Sequence, residues 1–261
     1  MKKQPLGQNY LIDQGIALEI IHQAGVTSDQ RLLEIGPGRG ILTALLLEKA
    51  KSLTAIEIDS RLCSDLMARF GKCKNFQLIE ADALKYDYSS LGNVCQIISN
   101  LPYYAATHIL KRLIHYRKYF SQMTVMLQKE VVDRLVAVPG SREYASLSVF
   151  IQFYCDVERL MEVGKESFSP KPRIDSSVIK LTPLIKPRIQ VDDPKTFFTI
   201  VNASFLHKRK MLKNNLKGWQ NLFQRQNGKI KLAGIDLSRR GETLSLEDFA
   251  TLSNYVHTYN G

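Results

Sequence analysis

The chain has 261 residues, 44% of them apolar and 23% charged, which excludes wholesale disorder and fits one large domain or a domain with a smaller appendage. Its 36 Lys and Arg against 25 Asp and Glu leave a net +11, which favours a polyanionic partner, nucleic acid first and an anionic membrane surface second. Cys63, Cys73, Cys95 and Cys155 form no CxxC pair and no zinc-like spacing, and no apolar run reaches the roughly 18–20 residues of a bilayer span. A cytoplasmic protein with no metal site and no membrane partner is expected. Met1-Lys2-Lys3-Gln4-Pro5 has no apolar segment behind its lysines, so no secretory signal is expected either.

In chain order, Arg31–Ile35 reads as a buried strand that stops at Gly36, and residues 41–50 as an apolar helix without Gly or Pro. Strands follow at 53–58, Phe76–Glu80, 95–99 and 123–127, with helices near 61–70, 107–116 and 130–138 between them. Near-continuous apolar strands alternating with helices predict an α/β fold with a parallel sheet covered on both faces. Ligands of such sheets bind beyond the carboxyl ends of the strands, where Gly36, Glu57, Asp82 and Asn100 all fall. The segment Pro183-Leu184-Ile185-Lys186-Pro187-Arg188 has the prolines of a linker, which predicts domains at 1–185 and 186–261. The first carries a net +4 and the second +7 on less than half the length. Helices are predicted in the second at 197–206, 211–216 and 245–256, the last opened by a Ser245/Asp248 capping box.

Glu34-Ile35-Gly36-Pro37-Gly38-Arg39-Gly40 sets three glycines at a stride of two. A dinucleotide fingerprint needs its third glycine at position 41, which is Ile41, so a cofactor without a pyrophosphate suits the turn better. Gly36 and Gly38 let backbone approach that cofactor closely. Glu57, 21 residues after Gly36, is placed to accept hydrogen bonds from ribose hydroxyls. Asp82 is placed either to accept from an adenine amino group or to cap a helix. Three matches on three consecutive strand ends predict S-adenosylmethionine and a Rossmann-like class I methyltransferase sheet, followed by a small α-helical C-terminal domain.

Ser99-Asn100-Leu101-Pro102-Tyr103 follows the fourth strand with an amide, a carbonyl and an aromatic ring within four residues. An exocyclic amine is a poor nucleophile because its lone pair is delocalised into the ring. Hydrogen bonds from that NH₂ to the Asn100 side-chain oxygen and the Leu101 carbonyl favour a localised lone pair. Tyr103 stacks on the base, a contact worth about 1–3 kcal/mol. A sulfonium is an excellent leaving group, so alignment and electrostatics suffice without a strong general base.

Six ordered segments are similar to those of the small-subunit ribosomal RNA adenine dimethyltransferase A (KsgA) family. They are Gly7-Gln8-Asn9-Tyr10-Leu11, Glu34 to Gly40, Asn100 to Tyr103, Met126-Leu127-Gln128-Lys129-Glu130-Val131, Phe168 to Ser176, and His207 to Leu216. The resemblance implies cofactor contacts from Asn9, Leu11, Gly36, Glu57, Asp82 and Asn100. It also implies that Phe168 joins Tyr103 in sandwiching the target adenine. The reaction it implies is N6,N6-dimethylation of two adjacent adenosines in the 3′-terminal hairpin of small-subunit rRNA, within an immature small subunit, by a monomeric enzyme. Tyr104-Ala105-Ala106 departs from the family's more usual N-I-S, which bears on the pocket rather than on the reaction.

Lys208, Arg209, Lys210, Lys213 and Lys217 are expected on two or three helical turns as phosphate contacts, within a basic RNA-binding domain. Two alternatives are a large-subunit adenine methyltransferase of the macrolide-resistance type and a mainly non-enzymatic ribosome-assembly factor. The M-L-Q-K-E-V, F-x-P-x-P and K-x-L-x-N-N-L segments favour the small-subunit enzyme.

Overall fold

Asp13 and Asp59 each turn the chain into a helix, because a carboxylate beside the first turn accepts amide protons that no helical carbonyl can reach. Asp13 Oδ1 accepts from Ile16 N at 3.1 Å and Asp59 Oδ1 from Arg61 N at 3.0 Å. The computed structural model describes residues 9–92, 94–226 and 228–260. Gly7, Gln8 and the leading lysines lie outside the described residues. Among the described residues no helix is long and apolar enough to cross a membrane.

The first compact unit comprises residues 1–132 and 156–185, the second 133–155 and 186–261. In chain order the elements are β1 (Tyr10–Leu11), α1 (Gln14–Gln23), β2 (Arg31–Ile35), α2 (Ile41–Lys49), β3 (Ser52–Glu57), α3 (Ser60–Phe70) and β4 (Phe76–Glu80). Next come β5 (Cys95–Asn100), α4 (Ala106–His115), β6 (Phe120–Gln128), α5 (Lys129–Val136), α6 (Ser146–Tyr154), β7 (Cys155–Val163), β8 (Phe168–Ser169) and β9 (Ser176–Pro183). The chain ends with α7 (Pro194–Ser204), α8 (Leu212–Asn215), β10 (Gln224–Gln226), β11 (Lys229–Leu232), β12 (Ile235–Asp236) and α9 (Leu246–Asn260).

The first unit is a seven-stranded sheet of order β4-β3-β2-β5-β6-β9-β7. β2 pairs parallel with both β3 and β5, and β9 closes antiparallel on β6. The chain steps outward from β2 through β3 to β4, then returns to the other side of β2 with β5. This reversal opens a crevice beyond the carboxyl ends of β2 and β5, the place where such sheets bind ligands. Ser99 Oγ accepts from Ile35 N at 2.8 Å, so the ends of β2 and β5 are tied together where the crevice begins.

The second unit departs from the sequence expectation in three ways. Residues 133–155, expected inside a 1–185 domain, belong to it. Tyr144, Val149 and Phe153 are buried with Phe197, Ile200 and Phe249. The Phe153 and Phe197 rings stack at 4.8 Å, and Arg188 N donates to Phe153 O at 2.9 Å. Ile185 to Lys186 is therefore the last passage between units rather than the sole boundary. The unit is also not purely helical, because β10, β11 and β12 form an antiparallel sheet turned at Gly228 and Gly234, both with positive φ.

The third departure is the basic helix. α7 ends at Ser204, and Lys208, Arg209 and Lys210 lie in turns rather than on a helix. Asn215 Nδ2 braces these turns, donating to Ser204 O at 2.7 Å and His207 O at 3.2 Å. Only Lys213 sits on α8, while Lys217 opens a 3₁₀ turn. At the start of α9, Ser245 Oγ accepts from Asp248 N at 3.1 Å and Asp248 Oδ2 from Ser245 N at 3.2 Å, the reciprocal box its sequence predicts.

Candidate active site

The crevice widens into a cleft of about 930 Å³ counted to its open mouth. The strand ends carry Gly36, Gly38, Glu57, Asp82, Asn100, Leu101 and Tyr103 to its wall, and Asn9 and Leu11 close it from the N-terminal side. Nine residues singled out in the sequence thus meet in one cleft although they span positions 9 to 103. Phe168 is not part of its wall, and the five basic residues belong to the second unit.

The glycine turn needs its glycines for two separate reasons. Gly38 has φ +56°, and a Cβ there would lie 2.9 Å from the Tyr10 ring. Gly40, with φ +75°, caps α2 without any side-chain hydrogen bond, and a Cβ would meet Leu66 and Phe70 at 2.9 Å. The left-handed conformation and the close approach both exclude larger residues. The first amides of α2 consequently face the cleft without a capping side chain.

Glu57 is buried at the end of β3, where Oε1 accepts from Ile58 N at 2.8 Å and Asp59 N at 3.0 Å. Its Oε2 accepts only a long bond, 3.3 Å, from Gly38 N. The carboxylate therefore ties the glycine turn to β3 and keeps acceptor capacity toward the cleft, as a ribose diol requires. Asp82 caps a turn and stands on the cleft wall. Its Oδ1 accepts from Leu84 N at 2.8 Å in the turn after β4.

Asn100 ends β5 opposite Met126 of β6, and Leu101 N donates to Met126 O at 3.2 Å, which fixes the backbone at the cleft mouth. Asn100 Oδ1 is buried and has no hydrogen-bond partner. Leaving such an oxygen unsatisfied costs about 1–3 kcal/mol, and a donor bound in the cleft would satisfy it. The Tyr103 hydroxyl and Ser176 Oγ are 2.5 Å apart. Burial pushes the Tyr103 phenol up, against the lowering by Ser176, so it stays protonated and anchored. Phe168 is buried on β8, paired with Leu11 of β1, and its ring centre lies 6.4 Å from that of Tyr103 at 60°. At that tilt the two rings are not parallel.

The ribosomal RNA adenine dimethylase family profile matches residues 1–258. The chain belongs to this family. It is 42% identical, over 97% of its length and 93% of theirs, to "Ribosomal RNA small subunit methyltransferase A" of Clostridium botulinum (strain Kyoto / Type A2). The protein of that name from Bacillus mycoides (strain KBAB4) is also 42% identical, over 97% of this chain and 90% of its own. Among solved structures, a dimethyladenosine transferase from Plasmodium falciparum superposes with a TM-score of 0.74 and 28% identity, covering 96% of this chain and 97% of that one. The 23S rRNA methyltransferase ErmE, at 20% identity and a TM-score of 0.70 over 95% and 100%, shares the fold.

Members of this dimethylase family are S-adenosylmethionine-dependent rRNA methyltransferases. The residues present fit that cofactor. Gly36 and Gly38 bring backbone to the cleft wall, Glu57 keeps acceptor capacity on Oε2, and Asn100 presents an orphaned oxygen. Glu34 and Ser176 also matter at this site, although neither carried a functional signal as plain as those of Glu57 or Asn100. Glu34 is the acid within the apolar run Arg-Leu-Leu-Glu-Ile, which is the one signal it carried.

Glu34 is buried in the cleft wall and accepts from Thr43 Oγ1 at 2.7 Å. Burial pushes its carboxyl up from the ordinary 4.5 to about 8, the Thr43 hydrogen bond opposes this, and the Glu57 charge adds to it. A carboxyl raised in the folded state contributes stability that is fully present below about 4.5 and is lost as pH rises through about 8. Glu34→Gln keeps the Thr43 hydrogen bond and cannot ionise. Its thermal midpoint is expected to match the wild type at about pH 4 and exceed it at about pH 8.5, both without cofactor. Parallel midpoint curves across that range would show that the folded protein does not raise the Glu34 carboxyl.

Proposed function

We propose that this chain dimethylates N6 of two adjacent adenosines in the 3′-terminal hairpin of small-subunit rRNA. The substrate is an immature small subunit in the cytoplasm, engaged by a single copy of the chain. Support comes from the family membership, from relatives at about 42% identity that carry the small-subunit name, and above all from the orphaned, buried Asn100 oxygen at the cleft mouth. S-adenosylmethionine supplies an electrophilic methyl group. Asn100 Oδ1 and the Leu101 carbonyl accept hydrogen bonds from the N6 amino group and localise the nitrogen lone pair, and Tyr103 stacks on the base, with Phe168 behind it. Asn9, Leu11, Gly36, Gly38, Glu57 and Asp82 hold the cofactor. Because no group on this list acts as a strong base, orientation and electrostatics carry the rate.

A target adenosine in a hairpin loop is cheap to unstack, which suits a cleft that must receive a single base. Exposed Lys208, Arg209, Lys210 and Lys217, with half-buried Lys213, contact phosphates from the second unit and position the RNA without reading its sequence. The test incubates the protein with methyl-labelled cofactor and under-methylated ribosomal subunits, then digests the RNA and maps the label. Dimethyladenosine at neighbouring positions of small-subunit rRNA is the expected product. Label on large-subunit RNA or on protein would overturn the assignment.

A further inference from the structure

Positions 88–129 contain no Asp or Glu, although acids make up 25 of the 261 residues. The same stretch holds Lys111, Arg112, Arg117, Lys118 and Lys129. It begins after Asp87, runs through the Asn100–Tyr103 loop and covers the whole of α4. Such an acid-free run concentrates positive potential on one part of the first unit.

The folding of α4 decides where that charge goes. Its apolar side, Ile109, Leu110, Leu113 and Ile114, is buried. His108, Lys111 and His115, spaced by three and four residues, share the opposite face and are exposed, and exposed Lys118 follows in the next turn. Ala105, which caps α4, and Tyr104, 55% exposed, line the methyl-transfer cleft. The face thus starts at the cleft rim and extends about 15 Å along the helix. Arg112 fastens the 85–86 segment alongside, donating to Tyr86 O at 2.6 Å and Lys85 O at 3.0 Å, which brings exposed Lys85 to the same surface.

Several other cations of the first unit have acidic partners. Lys129 and Arg159 pair with Glu162, Lys171 with Glu166 and Lys180 with Glu158. No described carboxylate lies within 4 Å of Lys85, Lys111 or Lys118. The neighbouring acid, Asp87, is engaged by Ser89 through its backbone amide at 3.0 Å and its hydroxyl at 2.7 Å.

We infer that the outer face of α4, with Lys85 and Lys118 beside it, is an RNA-phosphate track leading from the cleft. It is a second point of grip, carried by the methyltransferase unit itself. The inference rests on the reading that rRNA is the substrate. Contacts to phosphates on either side of a flipped adenosine hold the strand in register while the cleft selects the base.

The triple variant Lys85→Gln/Lys111→Gln/Lys118→Gln leaves Arg112 and the buried side of α4 untouched. Its affinity for protein-free small-subunit rRNA is measured from 50 to 200 mM salt beside the wild type, with cofactor affinity as the control for folding. Binding is expected to weaken at least tenfold at 100 mM salt. The slope of log K against log salt should become shallower by about 2–3, at roughly 0.7–0.9 per phosphate contact. The rate at saturating RNA should stay at the wild-type value. An unchanged slope overturns the inference. A loss seen with intact subunits but not with protein-free rRNA also overturns it, since the face then meets a protein. If wild-type label maps only to large-subunit RNA, the substrate reading fails, and the slope for that RNA judges the track separately.

Discussion

Asn100→Ala is expected to lower the single-turnover rate of methyl transfer by about 10²–10³-fold, the loss seen when one preorganised hydrogen-bonding group facing a reacting centre is removed. The backbone explains why the loss should be this selective. Asn100 is the last residue of β5, between β2 and β6 in the middle of the sheet, and Leu101 N is held by Met126 O. Alanine leaves that frame standing, so the Leu101 carbonyl and the Tyr103 ring, anchored on Ser176, stay in place. What disappears is a buried acceptor with no other partner. The cofactor still has the glycine turn, Glu57 and Asp82, so its dissociation constant, measured by calorimetry, is expected to rise less than tenfold. Asn100→Asp keeps an acceptor oxygen and should recover part of the rate. A wild-type rate in Asn100→Ala would remove the amide from the chemistry.

Glu57→Ala is expected to act on the other half of the reaction, weakening cofactor binding by about 10–100-fold. Hydrogen bonds to a charged group are worth roughly 1.5–3 kcal/mol, and about 1.4 kcal/mol corresponds to a factor of ten. Two losses combine here. The acceptor facing the cleft is gone, and the amides of Gly38, Ile58 and Asp59 lose the carboxylate that joins the glycine turn to β3. Glu57→Gln retains one oxygen for Ile58 and Asp59 and should fall between the two. Titration calorimetry separates the variants, and the transfer rate at saturating cofactor should change far less than the affinity. If both variants bind cofactor like the wild type, Glu57 serves the turn alone.

The centre of the first unit was legible because β2 and β5 are buried on both sides. Apolar runs such as Leu32 to Ile35 and Cys95 to Ile98 fit little else than the inner strands of a parallel sheet, and glycines and acids at their ends mark the cleft. The second unit was less legible because its elements are short and its packing non-local. Residues 133–155 carry their own apolar pattern, yet nothing local says that Phe153 will stack on Phe197, 44 positions away. β10 is built from Gln and Arg alone, and the alternation of β11, Lys229-Ile230-Lys231-Leu232, is only four residues long. Helical propensity favoured the 207–217 segment, but the chain turns after Ser204 and Asn215 braces those turns through Ser204 O and His207 O, contacts no local preference foretells.

For the site, the sequence by itself determined the identity of the groups: the glycine stride, Glu57 and Asp82 at strand ends, and the amide, carbonyl and ring of Asn100 to Tyr103. Only the tertiary structure decided which of their atoms are spoken for. It showed that Asn100 Oδ1 has no partner, that Tyr103 is fastened by Ser176, that Phe168 meets it at a tilt, and that Glu34 is sealed in the cleft wall. Residue type follows from the code, whereas satisfaction of a buried polar atom depends on neighbours tens of residues away, which exist as neighbours only after the sheet has formed.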